Sequence, residues 1–258
     1  MNSVLAVSIV VIKELYRKKD FYVLLVLALL IIGGMSIAGV LGDEKTLLAL
    51  KEICFLLIWI SGLVIAVGTS VKQFPAEREN RTIFPLLAKP VTRGEVIAGK
   101  FLGCWLACGV ALAIFYFLFG ILGVAFEHDW PWGNFLEALW MQWMFLAIIV
   151  ALALWGSFWF ASPAANATVC VLFALAVMLL GNQLATLALK EPEPLRSTIY
   201  TVYFLLPHFE WFNLKDFVVT KNGTIGAGFC AGATVYAVSY AGFFLMAAWT
   251  GFRRKALN

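Results

Sequence analysis

FLGCWLACGVALAIFYFLFGILGVAF, residues 101–126, contains no charged side chain and no proline. As a helix rising about 1.5 Å per residue it would be about 39 Å long, enough to cross the roughly 30 Å hydrocarbon core of a bilayer. It has no polar face, so it must be surrounded by apolar material on all sides. The rest of the chain has the same character. Of 258 residues, 62% are hydrophobic and 13% charged, and mean hydropathy is +0.91. Soluble domains run at about 45–50% apolar and about 25% charged. A chain this long cannot enclose the excess in one core, and lipid must solvate it.

Five further stretches reach membrane length. Toward the N-terminus they are Ile53–Val71 and Phe21–Leu41; toward the C-terminus, Phe135–Phe160, Ala164–Leu189 and Ile225–Phe252. None has a charge near its centre, where one costs about 2.5–3.5 kcal/mol on insertion scales. The expected fold is an all-α polytopic membrane protein with six transmembrane helices, forming one transmembrane domain over residues 1–258. It comprises an N-terminal interfacial helix (1–19), two spans (21–71), a polar loop (72–100), three spans (101–189), a second non-spanning segment (190–224), a sixth span (225–252) and a short tail (253–258).

Charge sets the orientation. An even number of spans puts both ends on one side. That side carries Lys13, Arg17, Lys18, Lys19, Lys72, Arg78, Arg81, Lys89, Arg93, Lys100, Arg253, Arg254 and Lys255. The other side carries only Lys45, Lys51, Lys190, Arg196, Lys215 and Lys221. The positive-inside rule makes the termini and the 72–100 loop cytoplasmic. The net charge of +4 follows from this topology, and nucleic-acid binding is not implied. Ser36-Ile37-Ala38 resembles a signal-peptide cleavage site, but the apolar run before it is longer than the roughly 7–15 residues of a signal peptide.

Several patterns are decoys. Gly94 to Lys100 has phosphate-loop spacing, but Phe101 stands where the loop needs Ser or Thr, and no strand precedes it. Asn80-Arg81-Thr82, Asn166-Ala167-Thr168 and Asn222-Gly223-Thr224 match the glycosylation pattern, and only the last falls on the outer side. Cys104 and Cys108 share a helix face without further ligands, and the five cysteines read as packing residues. His128 and His208 have no metal-ligand spacing. The spans contain no buried carboxylate or histidine of the kind ion-coupled carriers use. Gln142, Asn166, Asn182 and Gln183 suit interhelical hydrogen bonds. The segment 190–224, rich in Tyr200, Tyr203, Phe204, Phe209, Trp211 and Phe212, suits an interfacial aromatic belt, a shallow re-entrant helix or a gate.

Small residues line two helix faces at four-residue spacing: Gly99, Gly103, Ala107 and Ala111 in the third span, Gly228 and Gly232 in the sixth. Such faces allow close helix approach, within one chain or between two.

The loop KQFPAERENRTIFPLLAKPVTRGEVIAGK, residues 72–100, is the most informative polar stretch. Glu77 and Arg81 stand at i, i+4 in the favourable order, and Pro75 is tolerated in the first turn of a short helix. Pro85 and Pro90 turn Phe84 and Lys89 away from helix. Thr92 and Glu95 form a capping box, so a helix starts near Arg93 and runs into the third span. The result is a stiff elbow, which serves either as a docking handle or as a stabilised loop between spans.

The order Glu77/Glu79, Thr82, Leu86-Leu87, Lys89-Pro90-Val91, Arg93 and Gly99-Lys100 resembles the cytoplasmic loop of type-2 ABC exporter permeases, of the kind found beside copper-enzyme maturation ATPases. Arg81 departs from the pattern, which has Gly before the Thr. The resemblance implies a type-2 ABC exporter-like fold in the cell (inner or plasma) membrane. It implies a homodimer or heterodimer of permease chains working with two copies of a cytosolic ABC ATPase. Glu77, Arg78, Glu79, Arg81 and Thr82 would dock that ATPase, and Pro85, Lys89, Pro90, Thr92, Arg93 and Glu95 would hold the elbow. ATP and magnesium would bind the partner, with no cofactor and no catalysis in this chain. A stand-alone carrier or channel, or a membrane scaffold, is the alternative. Ion-driven flux by the chain alone, or a stable complex lacking an ATPase, would favour these.

Overall fold

The computed structural model describes residues 3–17, Gly33, 44–75, 92–126, 130–160, 162–190, 192–220 and 223–255. All regular structure among them is helical: α1 (Ser3–Arg17), α2 (Glu44–Ser70), α3 (Arg93–Phe126), α4 (Trp132–Gly156), α5 (Pro163–Ala188), α6 (Leu195–Leu205), a 3-10 turn (Phe209–Phe212), α7 (Lys215–Val219) and α8 (Ala227–Lys255).

Among the described residues, four helices are long and apolar enough to cross a membrane, over Leu48–Ser70, Arg93–Ala125, Trp132–Gly156 and Ala227–Arg253. They coincide with the second, third, fourth and sixth expected spans. The fifth stretch is the continuous helix α5, whose apolar part runs from Pro163 to Leu179. The first, Phe21–Leu41, lies outside the described residues apart from Gly33. The second span starts earlier than expected. Lys51 does not end the apolar helix; it is buried, with its ammonium 5.7 Å from the centre of the Trp130 ring. The fourth ends earlier, because Ser157–Trp159 form a turn.

Helix α4 is the hub. Its apolar window is 78% buried, against 22% for that of α8, and it packs against α2, α3, α5 and α8. Every residue from Met144 to Leu154 is buried, the all-round apolar character that a central helix needs. Tryptophans fasten α3 to α4. The Trp105 indole N–H donates to the Trp143 carbonyl at 3.1 Å, and the Trp143 N–H returns a bond to the Trp105 carbonyl at 3.0 Å. The two rings stack at 4.6 Å, and two partly buried donors are satisfied by the facing helix's backbone.

Several polar groups inside the bundle are paired, whereas the Ser70 hydroxyl and the Trp59 and Trp130 indole N–H groups are buried without a hydrogen-bond partner among the described residues. The Tyr116 hydroxyl donates to Gln142 Oε1 at 2.9 Å, and Gln142 Nε2 donates to the Ile58 carbonyl at 3.4 Å. At the end of the bundle where α4 begins, Asn134 Nδ2 donates to the carbonyls of Phe217 and Gly223 at 3.0 and 2.9 Å, which ties the α7 region to α4. The 3-10 turn is anchored by Phe209, whose ring meets Phe145 edge-on at 5.0 Å.

Candidate coupling face

Helices α2 and α3 are joined at the opposite end of the bundle, and the described residues on either side of that loop are held tightly. Helix α2 runs out through the turn Val71–Phe74. Its exposed carbonyls carry partial negative charge, and Lys100 meets them: its ammonium donates to the Gln73 carbonyl at 2.6 Å and lies 4.4 Å from the centre of the Phe74 ring. Lys100 is 1% exposed, so the contact works in a low-dielectric setting where a charge-assisted bond is strong. Phe74 is itself enclosed by Phe158, from the turn after α4, and Phe252, from α8, at ring distances of 4.6 and 5.7 Å.

On the other side of the loop, α3 opens with a reciprocal cap. The Thr92 backbone N–H donates to Glu95 Oε2 at 2.7 Å, and the Glu95 N–H donates to Thr92 Oγ1 at 3.3 Å. This satisfies two of the donors a helix start leaves open. Arg93 reaches α8, donating to the Arg253 carbonyl at 3.4 Å with its guanidinium 5.7 Å from the Phe252 ring centre. The turn between α4 and α5 joins the same cluster. Ser157 Oγ lies 2.9 Å from the Ala153 carbonyl and 3.4 Å from that of Val71. Asn166 Nδ2 donates to the Ala153 carbonyl and to Ser157 Oγ. A Cβ on Gly156 would stand 2.1 Å from Asn166 Oδ1, so only glycine lets the amide approach there.

Helix α1 closes the face from outside. A Cβ on Gly99 would fall 2.7 Å from Val7 Cβ, and one on Gly103 would fall 2.8 Å from Val11 Cβ. Ser8 Oγ donates to the Gly99 carbonyl at 2.9 Å. The first half of the small-residue stripe is therefore occupied by α1, within the chain. Ala111 is buried and Ala107 partly so. Gly228 and Gly232 differ: among the described residues, nothing lies within 4 Å of either Cβ position.

Of the sequence-derived site residues, Thr92, Arg93 and Glu95 stand together at the start of α3. Glu77, Arg78, Glu79, Arg81, Thr82, Pro85, Lys89 and Pro90 lie outside the described residues, as does His128 with its acidic neighbours. Sequence reasoning placed Lys100 in the loop and overlooked its burial. The adjoining Gly99, which admits α1, was the available signal. The Phe74–Phe158–Phe252 cluster had no signal, because phenylalanine is abundant throughout. Residues 94–100 form the opening turns of α3, the helix expected to start near Arg93. Among the described residues, no group of three or more His, Cys, Asp or Glu side chains is placed to hold a metal ion.

At the far end, His208 sits among aromatic rings. Its backbone N–H donates to the Tyr236 hydroxyl at 3.0 Å, and its Nδ1 lies 3.0 Å from the same oxygen. Tyr203 meets its ring edge-on at 4.4 Å and Trp211 stacks on it at 5.0 Å. Burial holds the imidazole below its ordinary pKa, because the charged form loses more hydration there.

The family model described as ABC-2 family transporter protein matches residues 5–251. The chain belongs to this ABC-2 family. It is a multi-pass membrane protein and a permease component of an ABC transporter. No curated protein matches it. In this ABC-2 permease, the match takes in α1 to α8 and the 72–100 loop whose ends the face above secures.

Proposed function

We propose that the ABC-2 chain is the membrane-spanning subunit of an exporter, that it forms the translocation path with a second permease chain, and that it is driven by a separate cytosolic ATPase gripping the loop between α2 and α3. In this reading the loop carries the coupling helix. Glu77, Arg78, Glu79, Arg81 and Thr82 meet the motor, while Pro85, Lys89, Pro90, Thr92, Arg93 and Glu95 keep the elbow stiff. ATP and magnesium bind the ATPase. The chain crosses the cell membrane six times with both termini in the cytosol, and its loop resembles that of the exporters found beside copper-enzyme maturation ATPases.

The observation that carries this reading is the convergence at the loop's two ends. Lys100, Phe74, Phe158, Phe252, Arg93 and Ser157 bring α2, α3, the α4–α5 turn and α8 to one place. A displacement applied to such a loop moves the bundle instead of being absorbed by slack chain. An interfacial site for α1 is supported by its two apolar faces. Val7 and Val11 meet α3, while Leu5, Ile9 and Ile12, at i, i+4 and i+7, are exposed on the outer side. A helix covering the protein on one side and apolar on the other suits the lipid boundary.

The test is the Glu79→Ala/Arg81→Ala double variant, co-purified with the cytosolic ATPase that associates with the chain in mild detergent. Transport-coupled ATP hydrolysis should fall while the variant still inserts and folds. Coupled hydrolysis at the parental rate would remove the docking assignment. Impermeant thiol labelling of residues 75–95 from the outer face would overturn the orientation as well.

A further inference from the structure

The chain between α5 and α8 reaches deep into the bundle. At about 1.5 Å per residue, Phe145 stands about 20 Å inside the start of α4 at Trp132, near the middle of that helix. The Phe209 ring meets Phe145 at 5.0 Å and lies 6.4 Å from Phe173, near the middle of α5. Phe209 and Phe212 are both buried. The end of α6 and the 3-10 turn thus form a re-entrant corner at mid-depth, deeper than the shallow re-entrant helix that the sequence suggests. Such a corner opens backbone groups where no bulk water can serve them. Helix α8 serves them instead. The Tyr240 hydroxyl donates to the carbonyl of Leu205, the last residue of α6, at 3.3 Å. One helical turn away, the Tyr236 hydroxyl accepts the His208 backbone N–H at 3.0 Å. The rings of Trp211 and Phe212 also lie against Tyr236, at 5.1 and 6.5 Å. The directional contacts of the corner are therefore with α8.

Helix α8 is suited to move along its own axis. It packs chiefly against α4, and Ala233, Ala237, Ala241 and Ala248 make up most of its buried side, together with Phe244. Methyl groups raise no deep ridges to lock into the grooves of a facing helix, and slight sliding of packed helices is a recurrent form of conformational change. The seam is crossed by the Phe244 ring, 5.8 Å from that of Trp155, and by an exposed bond of 3.0 Å from the Trp140 N–H to Thr234 Oγ1. At the coupling face the same helix is gripped again. Phe252 joins Phe74 and Phe158, and the Arg253 carbonyl accepts Arg93. Tyr236 and Phe252 stand about 24 Å apart along one continuous helix.

We propose that α8 is a sliding rod that relays displacement from the coupling face to the re-entrant corner, with Tyr236 and Tyr240 as the positioning residues that make the corner follow it. The relay takes from the proposed function only the place where the motor acts, and it is tested without the motor, so either reading can fail while the other stands. The test is a double-mutant cycle on the purified full chain in nanodiscs, read as hydrogen exchange of the His208–Asn213 amides. Tyr236→Phe/Tyr240→Phe should speed that exchange about tenfold, the scale of the hydrogen bonds removed. Phe252→Leu, at the other end of the rod, should speed it at least about twofold, the lower bound for coupling between distant sites. In the Tyr236→Phe/Tyr240→Phe background Phe252→Leu should add nothing. Arg93→Gln, an exposed change that spares the core, should repeat the Phe252→Leu result. The amides of α7, which Asn134 ties to α4, should not respond to either coupling-face variant. An unchanged corner in both Phe252→Leu and Arg93→Gln would overturn the relay. So would an equal rise in α7, which is general loosening, or a Phe252→Leu effect that persists without the two hydroxyls.

Discussion

Gly99 and Gly103 act through the side chains they lack. Each admits a valine of α1 to within 3 Å of where a Cβ would stand, and the Val4 and Ser8 carbonyls, 2.9 and 3.1 Å from those positions, cannot move without moving the helix. Gly99→Ala and Gly103→Ala should each cost about 1–3 kcal/mol, the usual penalty of overpacking a formed contact, seen as an earlier midpoint in SDS titration of the purified chain. The stripe was legible from its spacing, whereas its occupant was not, because spacing reports that a helix comes close without saying which one. His208 gives the second test at this scale. Its pKa is lowered in the folded protein, so between the folded value and the ordinary value of about 6.5 the unfolded chain binds more protons. Stability contributed by the neutral ring is thus complete above about 6.5 and is lost as pH falls through that window. The melting temperature of the parent should drop more between pH 7.5 and 5.5 than that of His208→Phe, and equal drops would show that the ring does not sense pH.

At the scale of elements, the cap of α3 and the apolar spans were readable because each is a local code. Thr92 and Glu95 satisfy each other's backbone at three-residue spacing whatever surrounds them. Thr92→Ala should cost about 1 kcal/mol, measured as faster hydrogen exchange at the Glu95 amide with no change in the interior of α4. The start of α2 was misjudged for the complementary reason. A lysine near a helix end reads as a boundary, and nothing local announces that Lys51 is buried with its ammonium over the distant Trp130 ring. Helix α8 offers a contrast to α3. With no described residue within 4 Å of either Cβ position, Gly228→Leu and Gly232→Leu should leave the SDS midpoint of the single chain within about 0.5 kcal/mol of the parent, as surface changes do. A shift as large as that at Gly99 would mean that another segment packs there.

Across the whole molecule, the membrane class follows from composition, and the family from a loop order that the matched region 5–251 contains. The meeting of α2, α3, α8 and the α4–α5 turn at Lys100 and Phe74 was not readable, because it joins residues as far apart as Phe74 and Phe252 and nothing local marks either of them. That meeting point separates two ways of breaking the transporter. Residues that grip the motor determine whether it binds; a residue that secures the loop's ends determines whether its stroke reaches the bundle. Lys100→Met keeps the aliphatic stem but loses the bond to the Gln73 carbonyl, a charge-assisted contact worth about 1.5–3 kcal/mol. Its expected phenotype is normal co-purification of the ATPase with transport-coupled hydrolysis reduced about tenfold, substantially rescued by Lys100→Arg, which keeps a cationic donor. Glu79→Ala/Arg81→Ala should instead lower co-purification itself. If Lys100→Met loses the ATPase as completely as the double variant does, the clamp and the docking surface are one structure, and force is not relayed through the end of α2.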